Sequence, residues 1–252
     1  MTSPQIPWIN AHDALPDAST ALREPAHFCG LVAAGQDLSV SRLQEAYSKG
    51  IFPWYSKGQP VLWWSPNPRM VLQTTQFRLH DSLRKTLRQF RRSPNCEIRI
   101  DTAFDRVIQH CAQQPRAGQH GTWILPEMVQ VYEALHQVGC AHSVETWIDD
   151  ELVGGLYVVS MGHAIFGESM FALKSNASKI ALAALVGFAR YHHMPWIDCQ
   201  QNTRHLASMG AQEMSRDVFL TWIARGIGQT SPDWKFRSIY WNELDPQALR
   251  AT

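Results

Sequence analysis

The sequence predicts an α+β fold of two parts. Residues 76–252 carry a mixed sheet with a crossover helix, and residues 1–75 form an N-terminal arm and a smaller α+β part rich in aromatics and proline. Three observations predict this. From Ala141 the chain runs through three segments of strand-forming residues separated by two tight turns, the pattern of an antiparallel meander. A helical stretch, 177–192, and a short apolar run, Trp196–Gln200, come next, which predicts a right-handed crossover into a parallel neighbour. Before residue 76, Pro53, Pro66 and Pro68 interrupt a tryptophan-rich segment and exclude a regular helix there.

The chain in order justifies the elements. Residues 1–36 are rich in Pro and Ala, lack periodicity and read as an arm with short turns. Ser39 caps a helix over 40–49, with Leu43 and Tyr47 on one face and Gly50 as its stop. Trp54, Trp63 and Trp64 then stand on a proline-stiffened frame as an apolar wall, with at least one of the last two expected in the core. Residues 79–92 fit a helix whose Leu79, Leu83, Leu87 and Phe90 share one face. Arg84, Lys85, Arg88, Arg91 and Arg92 share the other, with no acid after Asp81. A single-sign face in a near-neutral protein suits a phosphate backbone, although charged helix faces are commonly only solvated.

Residues 96–100 read as a strand. Phe104, Val107, Ile108 and Cys111 have helical spacing behind a capping Asp101 or Thr102. Residues 115–121 read as a loop, and Pro126 opens a helix that ends before Gly139. The meander covers 142–148, 152–159 and 164–170. Gly154 and Gly155 predict a bulge or a close backbone approach. Asn176 caps the long helix. A short helix over 203–209 stops at Gly210, and a last one covers 216–225.

Composition narrows the function classes. Hydrophobic residues make up 45% and charged residues 18%, which allows a sizeable core and excludes global disorder. The net charge of +1 excludes a protein that is basic overall, so any nucleic-acid surface is local. Cys29, Cys96, Cys111, Cys140 and Cys199 form no CxxC pair, which points to reduced thiols in a cytoplasmic protein and away from a zinc site. The first residues have neither the basic nor the apolar region of a signal peptide, and no apolar run is long enough to cross a membrane.

Chemistry is expected where polar groups interrupt apolar strands. Glu168 stands between Phe166 and Met170, and Asp198 and Gln200 follow Trp196 and Ile197. A charge in an apolar run is costly unless paired or used. One such carboxylate is ordinarily structural, but three polar groups on two neighbouring strands favour a site. Alternation predicts that Asp198 and Gln200 point to one side and Cys199 to the other. No His–Asp pattern accompanies Ser169 as a nucleophile.

The order of strands and helix resembles the acyl-CoA N-acyltransferase (GNAT-like) folds, which bind ligand where the two central strands splay beside the crossover helix. Acyl-CoA enzymes of that fold carry a Gly-rich loop at the helix start. Here Leu173-Lys-Ser-Asn-Ala-Ser-Lys-Ile180 has no glycine, so the site is expected to take another ester, such as an aminoacyl ester.

Several linked stretches carry a closer resemblance: Gly50-Ile-Phe-Pro-Trp54, Leu62-Trp-Trp-Ser-Pro-Asn-Pro-Arg69, Gly121-Thr-Trp-Ile124, His142-Ser-Val-Glu145, Leu152-Val-Gly-Gly-Leu-Tyr157, Phe166-Gly-Glu-Ser-Met-Phe171, Ala177-Ser-Lys-Ile-Ala-Leu182 and Ile197-Asp-Cys-Gln200. Together, over roughly residues 20–240, the chain resembles the leucyl/phenylalanyl-tRNA–protein transferases. The resemblance implies transfer of Leu or Phe, and Met less well, from aminoacyl-tRNA to proteins that begin with Lys or Arg, marking them for N-end rule degradation. It implies no metal and no coenzyme.

It also implies roles. Asp198 and Gln200 handle the attacking amine, and Glu168 anchors the aminoacyl-adenosine end. Beside these implied roles, the apolar residues Leu156, Ile165, Met170, Leu185 and Ile197 are candidates for the wall of a pocket for Leu or Phe. Trp54, Trp123 and Tyr132 are candidates for packing against the terminal adenosine, and the basic helix face is the candidate for acceptor-stem phosphates. The family is often aromatic near positions 185 and 189, where this chain has Leu185 and Ala189. Nothing in the sequence suggests a dedicated oligomer interface, so a monomer is expected. Two other readings compete: a small-molecule N-acyltransferase using acyl-CoA, and a non-catalytic RNA-binding module. The missing Gly-rich loop counts against the first, and the second leaves Glu168, Asp198 and Gln200 unexplained.

Overall fold

The computed structural model describes residues 5–114 and 124–244. Among them the first sheet has the order β1-β2-β4-β3, built from β1 (Trp8–Ile9), β2 (Leu31–Gly35), β3 (Phe52–Pro53) and β4 (Val61–Trp64). Helix α1 (Val40–Ser48) joins β2 to β3. Its cap is as expected, with Ser39 Oγ accepting from Arg42 N at 3.2 Å. Trp63 and Trp64 are both buried.

The second sheet positions the site. Its strands are β5 (Arg69–Gln73), β6 (Cys96–Ile100), β7 (Ala141–Ile148), β8 (Glu151–Met161), β9 (Ala164–Ala172), β10 (Trp196–Gln200) and β11 (Gln212–Met214). Their order is β11-β5-β10-β9-β8-β7-β6. Among the described residues of this sheet only β9 and β10 run parallel, joined by helix α5 (Ala177–Tyr191), and the other neighbours are antiparallel. The meander and the crossover therefore stand as the sequence predicts. Strands β5 and β11 were not expected. β5 lies on the N-terminal side of residue 76 yet belongs to the second sheet.

Strand alternation gives this sheet two apolar faces. Met70, Leu72, Val144, Leu156, Val158, Ile165 and Ile197 pack under α2 (Asp81–Arg92), α5 and the turn Ser238–Leu244. Val71, Tyr157, Phe166 and Phe171 pack against α1, α3 (Phe104–Gln113), α4 (Pro126–Gln137), α7 (Arg216–Ile227) and the first sheet. α2 buries the expected Leu83, Leu87 and Phe90.

Gly154 has the close approach that its position suggested. A Cβ built there falls 2.4 Å from Ala177 Cβ, so glycine lets the start of α5 sit on β8. The register shift in β7–β8 lies beside it.

Two caps differ from expectation. Asn176 makes no side-chain cap bond and instead takes the left-handed conformation with φ 64°. α3 is capped neither by Asp101 nor by Thr102, but by Glu145 of β7. The carboxylate of this fully buried residue accepts Thr102 N at 2.9 Å and Ala103 N at 2.8 Å, together with Ser143 Oγ and Trp147 Nε1. A carboxylate at a helix N-terminus satisfies orphan N–H groups and favours the helix dipole. Glu145 stands far from α3 in sequence, which hides it from local cap rules.

Candidate active site

Glu168 and Gln200 meet where β9 and β10 part. The two strands pair only at Ile197 with Ile165 and at Asp198 with Phe166. Beyond that point both bulge. On β9, Tyr157 of β8 faces Ser169 and Val158 faces Gly167, which leaves Glu168 as the extra residue. On β10, Asp198 faces Val71 and Gln200 faces Met70, which leaves Cys199 extra, and Gln200 takes a φ of 60°. A bulge bends its strand and re-aims its side chains. Two adjacent bulges open a V between the central strands.

A polar network closes one end of the V. Tyr47 of α1 donates its hydroxyl to Glu168 Oε1 at 2.7 Å, and Tyr132 of α4 donates to Oε2 at 3.2 Å. The two tyrosine oxygens are 2.6 Å apart. Gln200 Nε2 donates to Glu168 Oε1 at 3.0 Å. Burial pushes the Glu168 carboxyl up to about 7, and the Asp198 charge adds to that. The hydrogen bonds from Tyr47, Gln200 and Tyr132 oppose the rise, and burial wins. Burial and the Glu168 charge push both phenols well above the usual range, so they stay donors.

An apolar cavity of about 700 Å³ opens beside the network. Its walls include Leu156, Met170, Leu182, Leu185 and Ile197, and Thr203, His205 and Leu206 lie on its border. That size suits a small-molecule group, and a few convergent polar atoms in an apolar cavity fix orientation. Of the five residues expected in the aminoacyl pocket, Ile165 is the exception. It is fully buried in the core under α5 and does not line the cavity. Cys199, expected to point away, lines the cavity because the bulge breaks the alternation, and burial pushes its thiol up to about 12.

Asp198 does not share a side with Gln200. It is fully buried and bound to Arg69, with Arg69 Nε to Oδ1 at 2.8 Å and Nη2 to Oδ2 at 2.6 Å. Phe52 and Phe219 sandwich the guanidinium at 4.7 and 4.5 Å. Asp198 Oδ1 also accepts from Gln200 N at 2.8 Å. Asp198 thus has its oxygens occupied by Arg69 and the Gln200 backbone and is not among the residues that line this cavity.

The remaining candidates among the described residues do not line this cavity. Tyr132 is fully buried, and its contribution is its hydroxyl rather than a ring face open to stacking. Trp54 is half-buried, with its ring 5.8 Å from that of Trp64. Trp123 lies outside the described residues. Arg84, Lys85, Arg88, Arg91 and Arg92 stand on α2, and none has an ion-pair partner among the described residues. Arg84, Arg88 and Arg91 surround a small pocket with Trp241.

Sequence reasoning gave Tyr47 and Arg69 no role in the site. A tyrosine on a buried helix face needs a hydroxyl partner, and a buried arginine needs a carboxylate; those were the available signals. Asp101, His136 and His142 offer donor atoms within 4.8 Å of one another, as metal ligands would. Those atoms are engaged: His142 Nδ1 with Asp101 Oδ2 at 2.7 Å, and His136 Nδ1 with Ala141 O at 2.8 Å.

Residues 71–224 match the leucyl/phenylalanyl-tRNA protein transferase family model, and residues 36–67 match the model of that family's N-terminal domain. A leucyl/phenylalanyl-tRNA–protein transferase of Albidiferax ferrireducens is 57% identical over 241 residues, covering 96% of this chain and 95% of the relative. One from a Polaromonas species is 56% identical, covering 95% and 94%. One from Burkholderia pseudomallei is 50% identical, covering 98% and 97%. The class is therefore tRNA-dependent aminoacyltransferase. Within it, the chain belongs to the leucyl/phenylalanyl-tRNA–protein transferase family.

Proposed function

We propose that the cavity beside Glu168 receives the aminoacyl group in the reaction of this family. In that reaction the enzyme moves Leu or Phe from aminoacyl-tRNA to the α-amino group of proteins that begin with Lys or Arg, which marks them for N-end rule degradation. The observation that carries this reading is the Glu168 carboxylate, set at the end of an apolar cavity and held by Tyr47, Tyr132 and Gln200. The splay of β9 and β10 beside α5 also supports a GNAT-like reading of the second sheet.

The acceptor amine attacks the ester carbonyl carbon, the new C–N bond forms, and the ester C–O bond breaks with the tRNA ribose oxygen as leaving group. In our reading Glu168, with a carboxyl near 7, takes the amine proton and returns one to the leaving oxygen. The Gln200 amide, fixed by Asp198 through its own backbone N–H, faces the charge that develops on the carbonyl oxygen. Arg69 and Asp198 are positioning residues and do not touch substrate. The apolar wall selects Leu or Phe, and Met170 adapts to either shape. Positioning of the two substrates supplies much of the rate. Aminoacyl-tRNA as donor implies a cytoplasmic setting.

The test is transfer of labelled Leu from leucyl-tRNA to two peptides that differ only in an N-terminal Arg or Met, with wild type and Glu168→Gln. Transfer to the Arg peptide alone, reduced at least a hundredfold in the variant, is expected. No transfer by folded wild type sinks the reading.

A further inference from the structure

The border of the cavity carries cations that the mechanism above leaves unused. Thr203, His205 and Leu206 line the cavity directly after Gln200, on or just before the short helix α6 (Arg204–Ser208). Arg204 is exposed, and Lys179 lies half-buried in the first turn of α5, the helix that supplies the wall residues Leu182 and Leu185. Lys179 is close enough to His205 for its charge to disfavour protonation there. Burial acts on His205 in the same direction and is the larger cause. Lys179 thus neighbours His205 in space, and Arg204 precedes it in sequence. Neither has an ion-pair partner among the described residues. Of the acids near this flank, Glu213 accepts from Asn202 Nδ2 at 2.8 Å, and Asp81 stands in the first turn of α2 beside His80.

This border is tied to the basic helix. His80 Nε2 lies 2.9 Å from Ser208 O, and Arg78 N donates to Met209 O at 2.9 Å. The end of α6 thus abuts the start of α2. Arg204 stands about one turn back along α6 from that contact and Arg84 about one turn along α2 beyond it, at roughly 1.5 Å of rise per residue. Cations without an ion-pair partner among the described residues therefore stand on both sides of this contact, Arg204 on α6 and Arg84, Arg88 and Arg91 on α2. Unpaired cations spaced along a surface suit a phosphodiester chain, and a chain that ends in an apolar cavity next to a carboxylate network is the 3′ end of an aminoacyl-tRNA.

We propose that Lys179 and Arg204, with His205 between them and the cavity, form an anion-binding border. This border holds phosphates of the single-stranded 3′ end and leads it from the face of α2 to the Glu168 network. The inference rests on the aminoacyl-tRNA reading of the site. It assigns the border a chemistry distinct from that of the cavity: phosphate outside, apolar side chain and ester inside.

Two donors separate the two chemistries. Leucyl-tRNA carries the phosphates, and leucyl-adenosine carries the same ester without any. Transfer to an Arg-initiated peptide is measured for wild type and for Lys179→Gln/Arg204→Gln, with Lys235→Gln as an exposed control for loss of charge. The double variant is expected to raise KM for leucyl-tRNA about tenfold with little change in kcat. The dependence of log KM on log salt is expected to flatten by about 1 to 1.5, near the value for two contacts on a single strand. The KM change with leucyl-adenosine is expected to be much smaller. Equal losses with both donors overturn the proposal, because they place the damage in the cavity or the fold. An unchanged KM and salt slope for leucyl-tRNA, or changes no larger than those of the control, also overturn it. Failure of wild type with both donors instead counts against the aminoacyl-tRNA reading itself.

Discussion

Arg69 and Asp198 form a two-pronged ion pair at 2.8 and 2.6 Å, with both side chains fully out of water. The pair joins β5 to β10, and Asp198 extends it to the backbone of Gln200 at 2.8 Å. The backbone of Gln200 is thus linked, through Asp198, to an arginine that lies 129 residues before Asp198 in sequence.

Breaking this pair is expected to act on stability and activity together. Arg69→Met or Asp198→Asn leaves a buried, unmatched partner, and such changes cost about 3–5 kcal/mol. Urea unfolding followed by circular dichroism reads the stability, and labelled-Leu transfer reads the activity. If Asp198→Asn unfolds at the wild-type midpoint and transfers normally, the positioning role is wrong.

Glu168 predicts a pH signature of definite sign. Its folded carboxyl lies near 7 against an ordinary 4.5. Between those values the unfolded chain has lost its proton while the folded one keeps it, so the unfolded state binds fewer protons and stability falls as pH rises. The contribution is full below about 4.5 and lost above about 7. Glu168→Gln is expected to flatten this segment of the stability-against-pH curve and to remove a limb near pH 7 from kcat/KM. Parallel curves for wild type and variant in both measurements contradict the assignment.

Tyr47→Phe and Tyr132→Phe each remove one hydrogen bond that stabilises the ionised carboxylate. The limb assigned to Glu168 is expected to move to higher pH, and further for Tyr47, whose bond is the shorter. Rings are retained, so packing against Phe166 and Tyr157 persists. The pH profile of kcat/KM is the readout, and a fall in rate with no shift of the limb rejects this reading.

Leu185 lies in the cavity wall on α5. Leu185→Phe is expected to narrow the cavity and lower kcat/KM for phenylalanyl-tRNA relative to leucyl-tRNA by about tenfold, the low end of what a methylene-scale change in an apolar pocket gives. An unchanged ratio of the two donors removes Leu185 from the aminoacyl wall.

The sequence by itself determined the meander, the crossover helix and the strand Trp196–Gln200. Their signals are local: period-two alternation, turn residues, and helical spacing that runs on for several turns. It also pointed to the neighbourhood of the site, because charged and amide groups stand out in apolar strands. Strand β5 stayed hidden because it directly follows a proline-broken stretch, and β11 because three residues are too few for a period to register.

Only the tertiary structure decided which group does what. Alternation put Asp198 beside Gln200, but two bulges, created by how β8 and β5 pair with the central strands, turned Gln200 and Cys199 to the cavity and left Asp198 to Arg69. Tyr47 and Tyr132 come from α1 and α4 and meet only on Glu168, just as Glu145 caps α3 from β7. Hydrogen bonding and burial act between groups that are close in space, and the perturbed carboxyl of Glu168 is set by all of those neighbours at once. No pattern along the chain records that sum.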